Sequence, residues 1–581
     1  MSSVSEVSRR LLTYTSNIIH TFTDKCSQIT SQSLLNTYLH SLNYDDAVNF
    51  GRDFFGEGNF RAIGIDGSME SDEVLGVLIF YVNASGFQVS FTVGDEISFN
   101  WSTLSRNDYL SLSTAIPLWR EDVGELNSES ADDSFYIERT SSGILFSAMT
   151  MTELYIAYRA SLMDDAKIIF LDRPLSTSMP VMRRDVRRLL SYPDFPLLHL
   201  VDGLTHSDIV LAMMYGPSLW PLPKRDVYLK YVAYKFLLEH GETSPQTLAR
   251  ELELDEEQLK SLRISFKRWN ERNNGELFLS LEPYFIPNLE RRAFWDRIES
   301  LLQVMRNRLF ESSETHPLRV GDKWLSSLEL NAVNLFLLYK LVKECLERRI
   351  LLIGIAKDTN SSEFTRAVLP YLSERDGASL PLPFRNDRVY LTISSARMNR
   401  EAPWRTLSYD AVFTTLNYVN GRFKAARGAV PPERHFIRGY YQLRTITTED
   451  GEVRYRSPVF LYDRPIYPPF DNAEIIPLTV EIRNKSREIN AFLERGENKV
   501  DNLVLYILSL TDVGDVFEEM GHNRLLYLAD KDVKRYVKLM KGTLKGVVSS
   551  SMNPTIIRER FYIIARRFRE LRSLTERSRR R

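Results

Sequence analysis

The stretch that decides the fold is RAIGIDGSMESDEVLGVLIFYV, residues 61–82. Residues 62–65 are apolar and predict a buried strand, yet the run ends in Asp66, followed at once by Gly67 and Ser68. A buried carboxylate requires a partner, because burying an uncompensated charge is costly. The pattern predicts either a functional acid or a turn in which the Asp side chain caps the next amide.

Composition limits the classes of protein to consider. A chain of 581 residues allows two or three domains, or one core with large insertions. No apolar stretch reaches the ~20 residues that a membrane span needs, and the first residues carry no signal-peptide core, which together indicate a cytoplasmic protein without membrane attachment. Cys26 and Cys345 have no zinc-binding spacing, so any metal must be held by oxygen ligands or isolated histidines.

The strand signals after Asp66 follow one another closely. They lie at residues 62–68, 74–82 and 86–93, and the last of them, GFQVSFTV, alternates apolar and polar side chains. Their short connections predict an antiparallel meander. A helix is predicted over 142–162, followed by the strand AKIIFLD, which ends in Asp172. The strand AKIIFLD therefore repeats the pattern of the strand at 62–66: a buried strand that ends in an acid.

The rest of the chain divides into blocks by periodicity and charge. The 176–327 block is mostly helical and contains a pattern typical of a helix-turn-helix or winged helix at 227–269. Residues 558–581 contain ten Arg and three Glu, which is typical of a solvated end or of a segment that binds phosphates or an acidic partner. The predicted blocks are a helical N-terminal arm (1–54), the first half of the core (55–175), the helical insertion (176–327), the second half of the core (328–545) and an Arg-rich C-terminal tail (546–581). Within the second half of the core we predict helices at 328–348, 500–509 and 524–540. Strands are predicted there at 350–358, 388–394 and 437–447.

The order of these elements resembles that of ribonuclease H-like proteins. We therefore predict an α/β fold with a ribonuclease H-like core, a mixed five-stranded sheet with flanking helices, that carries the large helical insertion. In such folds the acids of the first strand, the first helix and the fourth strand converge, and Asp66, Glu153 and Asp172 occupy these places. Two divalent cations bridged by carboxylates can hydrolyse a phosphodiester, and Mg²⁺ and Mn²⁺ prefer oxygen ligands.

Seven short motifs over about residues 55–545 resemble, in their order, those of the NurA nucleases, which work with the HerA ATPase in DNA-end resection. Two motifs depart from the family pattern: Arg173-Pro174 replaces Gly-Ser, and His522-Asn523 replaces Tyr-Pro. The motifs are Ile65-Asp66-Gly67-Ser68, Glu153 in MTELYIAYRA, Leu171-Asp172-Arg173-Pro174-Leu175, Ile353-Gly354-Ile355-Ala356-Lys357, Ser408-Tyr409-Asp410, Tyr440-Tyr441-Gln442-Leu443-Arg444, and the segment from Gly521 to Asp530.

The resemblance implies a DNA nuclease that depends on Mn²⁺ or Mg²⁺. It implies a two-metal site, and a homodimer that acts with a HerA-type hexameric ATPase translocase in DNA-end resection, repair or anti-phage defence. A second hypothesis keeps the fold without the chemistry: a non-catalytic adaptor that binds HerA or DNA ends. The residues implied are Asp66, Glu153, Asp172 and Asp530 as metal ligands and catalytic acids, Lys357 as a further catalytic residue, and Lys357, Tyr441, Arg444 and Arg173 as DNA contacts.

Several of these residues have a structural alternative. Glu153 and Asp530 are also typical of solvated helix faces, and Lys357 fits a phosphate contact and the exposed end of a strand equally well. Because Arg cannot bind a metal, we expect Arg173 to face the scissile phosphate or to pair with a neighbouring acid. The apolar residues of the N-terminal arm fit either a HerA-docking surface or packing on the chain's own core or dimer mate; they are Leu11, Leu12, Ile18 and Ile19.

Overall fold

The computed structural model describes residues 4–29, 34–74, 77–119, 134–217, 228–312, 315–357, 359–377, 380–425, 435–447, 453–471, 474–482, 485–513 and 520–556. Most of the predicted Arg-rich tail, from residue 557 onward, lies outside this range. The helices are α1 Val4–Ser27, α2 Tyr44–Phe55, α3 Ser134–Ser161, α4 Leu175–Leu189, α5 His206–Tyr215, α6 Leu229–His240, α7 Pro245–Leu252, α8 Glu256–Arg272, α9 Phe294–Phe310, α10 Ser327–Glu347, α11 Leu369–Arg375, α12 Asp387–Arg397, α13 Lys499–Leu510 and α14 Arg524–Ile556.

The strands are numbered in the same way along the chain. They are β1 Leu39–Ser41, β2 Gly58–Val74, β3 Val77–Val93, β4 Ile97–Trp119, β5 Ala166–Leu171, β6 Phe278–Ser280, β7 Ile286–Pro287, β8 Arg319–Val320, β9 Lys323–Trp324, β10 Leu351–Ala356, β11 Trp404–Thr406, β12 Tyr409–Asp410, β13 Leu416–Val419, β14 Arg422–Ala425, β15 Phe436–Gln442, β16 Thr445–Thr447, β17 Val453–Arg456, β18 Phe460–Pro465, β19 Glu474–Ile482 and β20 Lys485–Leu493.

One mixed sheet organises this α/β protein, and within the described ranges it contains fourteen strands. Counted from one edge of the sheet, the first five strands are β4, β3, β2, β5 and β10. The first three form an antiparallel meander, whereas β5 runs parallel to both β2 and β10. Beyond β10 the sheet continues antiparallel through β18 and β15. The two halves of the chain therefore share one sheet, and β5 and β10 join them directly.

Helices cover both faces of this sheet because its central strands are buried on both sides. Side chains alternate along a strand, so Ile63 and Ile65 of β2 join the core under α3, α4 and α10, whereas Ala62 joins the core under α2, α13 and the start of α14. The apolar runs of β5 and β10 follow the same alternation. Buried parallel strands of this kind read as continuous apolar sequence rather than as an alternating pattern.

The strands of the meander begin and end at other residues than the sequence predicts. A single strand, β3, replaces the two predicted strands at 74–82 and 86–93, and the third strand is β4. Residues 83–86, Asn-Ala-Ser-Gly, have the composition of a turn but stay extended because their polar side chains find partners. Asn83 accepts a hydrogen bond from Ser113 at 3.0 Å, and Ser85 donates to Asp532 of α14 at 2.8 Å. These hydrogen bonds satisfy the Asn83 side-chain oxygen and the Ser85 hydroxyl inside a buried strand.

The predicted strand at 388–394 is wrong, because this segment forms the helix α12. Its Val, Thr and Ile favour a strand by propensity, but the Asn386 side chain caps the helix by accepting a hydrogen bond from the Val389 amide at 3.0 Å. The buried residues Tyr390, Leu391, Ser394 and Ser395 recur with helical spacing. Capping and burial together outweigh a weak strand propensity.

The remaining predicted elements are present with shifted ends. The helices at 142–162, 328–348, 500–509 and 524–540 correspond to α3, α10, α13 and α14, and the strands that end near Asp172 and Asp358 correspond to β5 and β10. The predicted strand at 437–447 is divided into β15 and β16. Within the described ranges, the helices offer no apolar stretch of the length that a membrane crossing requires.

The N-terminal arm is only partly helical. Helix α1 is exposed from residue 8 to residue 25, and the chain then forms β1, which pairs with β11, before α2. The arm is fixed to the rest of the protein at the end of α1, where Cys26 is buried and the Phe22 ring lies 5.5 Å from the Phe384 ring. Most of α1 therefore extends from the surface without covering the chain's own core.

Between α4 and α10 lies the helical insertion. Helices α6, α7 and α8 follow one another and are succeeded by the hairpin β6–β7. An additional bridge joins Thr243, just before α7, to Phe285, just before β7. The predicted helical pattern at 227–269 is thus present and is completed by a small sheet.

Candidate active site

Asp66 lies in the middle of β2, where the neighbouring strand β5 ends. Ile65 pairs with Leu171, and the Asp172 amide donates to the Ile65 carbonyl at 3.4 Å. Asp66 and Asp172 therefore follow paired residues of adjacent parallel strands, about 4.8 Å apart in backbone. The turn alternative for Asp66 is wrong, because β2 stays extended to Val74, although the Asp66 side chain does accept the Gly67 amide at 2.7 Å.

Glu153 reaches the same place from α3. Its carboxyl group is buried and lies directly over Gly67: a Cβ atom at position 67 would come within 2.4 Å of Glu153 Oε1. Met151, Leu154 and Ile156 of the same helix are buried in the core against the sheet, so the helix cannot move away easily. Gly67 is needed at this position because any side chain would occupy the volume of the Glu153 carboxylate.

Arg173 pairs with Glu153 rather than pointing into solvent. Its Nε lies 2.5 Å from Glu153 Oε2, and the two side chains are 8% and 4% exposed. The contact is an ion pair without the alignment of a linear hydrogen bond, since Arg173 Nε has no hydrogen-bond partner among the described groups. Of the two contacts expected for Arg173, pairing with a neighbouring acid is the one present.

Asp530 approaches from α14, which packs across β2 and β3. The helix backbone lies so close to the sheet that a Cβ atom at Gly64 would come within 2.5 Å of Leu525 Cβ. Asp530 forms an ion pair with Lys534 one turn later, with Nζ and Oδ1 2.7 Å apart. The helix is fixed further along by Asp532, which lies 3.0 Å from Arg106 Nε.

These four acids form one electrostatically coupled cluster. The pKa of the Asp66 carboxyl is raised well above its usual range, first by burial, then by the negative charges of Asp172 and Glu153, with a smaller contribution from Asp530. Burial also raises the pKa of Glu153, against the lowering effect of Arg173. A cation bound among these acids would oppose their mutual repulsion and lower the pKa of Asp66.

The predicted DNA contacts occupy three different settings. Lys357 follows β10 and lies at the cluster, with Nζ 3.9 Å from Asp172 Oδ2. Tyr441 is fully buried in β15; burial, then Asp512 and Asp172, raise the pKa of its hydroxyl. Arg444 forms an ion pair with Asp512. Of these three residues, Lys357 lies beside the acids and is partly exposed, whereas Tyr441 is enclosed and Arg444, although 43% exposed, is held by Asp512.

The donor chemistry suits a hard divalent ion, but the arrangement does not form a complete ligand cage. Four carboxylates supply the oxygen atoms that Mg²⁺ and Mn²⁺ prefer. In the described part of the chain, however, no three His, Cys, Asp or Glu side chains are grouped closely enough to hold an ion. Glu153 is not part of such a group because its carboxylate is already paired with the positively charged Arg173.

Two features of the site were not anticipated. Sequence reasoning missed the steric role of Gly67, for which the signal was a glycine directly after an acid in an extended segment. It also missed Asp532, which positions α14 through Ser85 and Arg106. Asp532 could have been found only by knowing that α14 crosses β3.

Comparison with known proteins gives structural neighbours only. No protein-family model and no curated protein matches this sequence. The crystal structure of the NurA nuclease from Sulfolobus solfataricus aligns over 95% of this chain and 99% of its own, with 11% identity and a TM-score of 0.39. A crystal structure of NurA with manganese aligns over 92% and 97%, with 13% identity and a TM-score of 0.35.

A third structure, NurA bound to dAMP and manganese, aligns over 91% of this chain and 93% of its own, with 14% identity and a TM-score of 0.32. All three structures are of NurA, the family that the sequence motifs resemble. At such identities and TM-scores they transfer no activity, metal or partner to this chain.

Proposed function

We propose that this protein is a divalent-metal-dependent deoxyribonuclease with a ribonuclease H-like core. The observation that carries the proposal is the convergence of Asp66, Asp172, Glu153 and Asp530, from two parallel strands and two helices, in one partly buried cluster of interacting acids. The strand order β4, β3, β2, β5, β10, with an antiparallel meander followed by two parallel strands, supports the proposed core.

The residues of the chain would divide the work as follows. A divalent ion held by Asp66 and Asp172, with Asp530 nearby, would supply Lewis-acid activation of water and neutralise charge on the phosphodiester. Lys357, which is 29% exposed beside Asp172, would contact the phosphate as a mobile point charge. Gly67 keeps the volume beside the acids free of a side chain.

The partners also belong to the proposal. We infer DNA as the substrate, a homodimer as the functional form and a HerA-type hexameric ATPase as the translocase, in DNA-end resection, repair or anti-phage defence. A chain with a formal net charge of −1 has little overall attraction for DNA, so a partner that grips and feeds the strand would raise the rate of cleavage. We place the protein in the cytoplasm.

One observation favours a second function. The Glu153–Arg173 ion pair removes one acid from the set available to an ion, and Arg173 stands where the NurA pattern has glycine. A non-catalytic adaptor that keeps the fold and binds a HerA-type ATPase or DNA ends would tolerate this change. The two functions differ in whether the acidic cluster binds a divalent ion.

A nuclease assay on linear DNA decides between them. We expect the full chain to degrade DNA with Mn²⁺, to be inhibited by EDTA, and to be faster with a HerA-type ATPase. Asp66→Asn should abolish cleavage, whereas Asp202→Asn, at an exposed acid before α5, should not change it. Absence of cleavage by the wild-type protein under all these conditions, with retained binding to the ATPase or to DNA ends, would favour the adaptor.

A further inference from the structure

Three consecutive helices and a hairpin in the insertion form a compact unit, residues 229–287. A turn of three residues, from Glu253 to Asp255, joins α7 to α8, and Glu253 adopts the left-handed conformation with φ of 54°. The hairpin β6–β7 follows α8, and an antiparallel bridge between Thr243 and Phe285 links it to the segment before α7. A short turn between two helices, followed by a hairpin that pairs with the segment before them, is the topology of a winged helix.

Aromatic and amide side chains fix α8 against the rest of this unit. The Trp269 ring lies 5.1 Å from that of Tyr234 on α6, and the Phe266 ring lies 4.7 Å from that of Phe278 on β6. Asn270 Oδ1 accepts hydrogen bonds from two consecutive hairpin amides at 3.0 and 3.1 Å. The buried face of α8 is therefore determined, and with it the face that is left to solvent.

The outer face of α8 is basic. After Glu256 and Glu257 in the first turn, its charged residues are cationic except for Glu271. Within the described residues these cations form no ion pair, in contrast to Arg250 on α7, which pairs with Glu251, and Lys235 on α6, which pairs with Glu239. The exposed cations are Lys260, Arg263, Lys267, Arg268 and Arg272.

We propose that residues 229–287 are a winged-helix module whose α8 binds the phosphate backbone of duplex DNA. Seventeen residues of helix span about 25 Å, and a helix about 10–12 Å wide fits the major groove of B-DNA. Five cations on one helix face match two rows of phosphates better than they match a single acidic side chain on a protein. The site lies in the insertion and does not use the acids of the proposed nuclease.

Both this site and the proposed nuclease site bind DNA, but this site does not take part in cleavage. It would hold duplex DNA whether or not the acidic cluster cleaves it, so its test is made in EDTA, where metal-dependent cleavage is suppressed. The measurement is fluorescence anisotropy of a labelled 25-bp duplex, titrated with the full chain over a series of salt concentrations. The slope of log K against log salt reports the number of phosphates contacted, with about 0.9 for each.

The test variant combines Lys260→Ala, Arg263→Ala and Lys267→Ala. We expect its salt slope to decrease by about 2.7 relative to the wild-type protein, and its affinity to decrease roughly tenfold or more at moderate salt. The matched control combines Lys235→Ala and Arg250→Ala, on α6 and α7, with Arg292→Ala just beyond the module, which removes the same charge outside α8 and should change both values little. A charge-preserving variant, Arg263→Lys with Arg268→Lys, should keep the slope.

The possible results are distinct. An α8 variant that folds and binds with the wild-type slope would overturn the proposal, as would equal losses in the α8 variant and the control. Failure of the wild-type chain to bind duplex would also overturn it and would leave α8 as a surface for an acidic protein. Because Asp66→Asn is expected to bind duplex normally, loss of cleavage with retained binding would separate failure of the nuclease from failure of this site.

Discussion

Arg173 sets the charge of the acidic site. It is buried together with Glu153, and neither member of a buried ion pair can be removed without leaving an uncompensated charge. A guanidinium stays protonated and cannot ligate a metal, so Arg173 occupies the place of a cation beside Glu153. Asp66, Asp172 and Asp530 are then the acids that are not paired with a buried arginine, a set that suits one divalent ion better than two.

Replacing Arg173 should therefore change the number of ions bound. We expect the wild-type chain to bind one Mn²⁺ and Arg173→Met to bind a second, because Glu153 loses its internal cation. Equilibrium dialysis and the Mn²⁺ EPR signal measure this stoichiometry without any activity assay. Arg184→Met, at a half-exposed arginine on α4, serves as the control. Identical stoichiometry and affinity in wild type and Arg173→Met would show that Arg173 does not substitute for an ion.

Gly67 provides a second test at the level of a single residue. A methyl group there would lie 2.4 Å from Glu153 Oε1, so Gly67→Ala should displace the carboxylate and reduce Mn²⁺-dependent cleavage by about 100-fold or more. Gly143→Ala is the matched control, since its new Cβ meets nothing closer than 3.7 Å and alanine favours the helix. If Gly67→Ala cleaves DNA at the wild-type rate, the position of the Glu153 carboxylate does not matter for cleavage.

Sequence alone could identify the acids but not their neighbours. Asp66 and Asp172 were predictable because each follows a buried strand, and parallel strands bring their ends together. The Glu153–Arg173 pair was not, because it depends on how closely α3 approaches Gly67. Nor could the pattern around β15 show that Tyr441 is enclosed while Arg444 is held by Asp512, since both follow from packing between distant segments.

At the scale of elements, polar anchors decide what propensity leaves open. Helix α12 forms in a segment with strand composition, and its first residue, Asp387, explains why it is held in place. Asp387 accepts hydrogen bonds from the Phe364 and Thr365 amides at 2.9 and 2.8 Å and from the Tyr440 hydroxyl at 2.8 Å. One carboxyl group thus joins α12, the turn before α11 and β15, which no local pattern could reveal.

Asp387 also makes stability depend on pH. Burial, then the charge of Glu363, raise its pKa to about 7, so the folded protein retains a proton that the unfolded chain releases near pH 3.8. Its contribution to the free energy of unfolding therefore falls as pH rises from about 4 to 7, by at most about 1.4 kcal/mol per pH unit. The difference in Tm between wild type and Asp387→Asn should shrink across this range. A Tm difference between the two proteins that stays constant with pH would contradict the raised pKa of Asp387.

At the scale of the whole molecule, α1 presents a row of exposed apolar side chains. Leu11, Leu12, Ile18 and Ile19 are 59–71% exposed, so they do not pack on the chain's own core. They recur seven residues apart as two pairs, as in helices that bind another helix. Exposed apolar residues of this extent usually mark a binding surface.

We expect this surface to bind the proposed ATPase partner. Leu12→Glu with Ile19→Glu should abolish co-elution with a HerA-type ATPase, whereas Thr13→Glu with Asn17→Glu, on the opposite face of α1, should not. Light scattering on the same samples reports whether the homodimer is lost instead, which would assign the surface to the dimer. A protein lacking residues 1–20 that folds, dimerises and binds the ATPase at full affinity would remove α1 from both interfaces.

The adjacency of β5 and β10 has a consequence for how this protein could change over evolution. Everything between Leu171 and Leu351, including the α6–α8 unit, is one crossover between two strands that lie side by side. Closing a connection costs free energy only with the logarithm of its length, about 0.6 kcal/mol for each doubling. A lineage could therefore lengthen, shorten or exchange this crossover at little thermodynamic cost and acquire new binding specificities, while Asp66 and Asp172 stay at neighbouring strand positions.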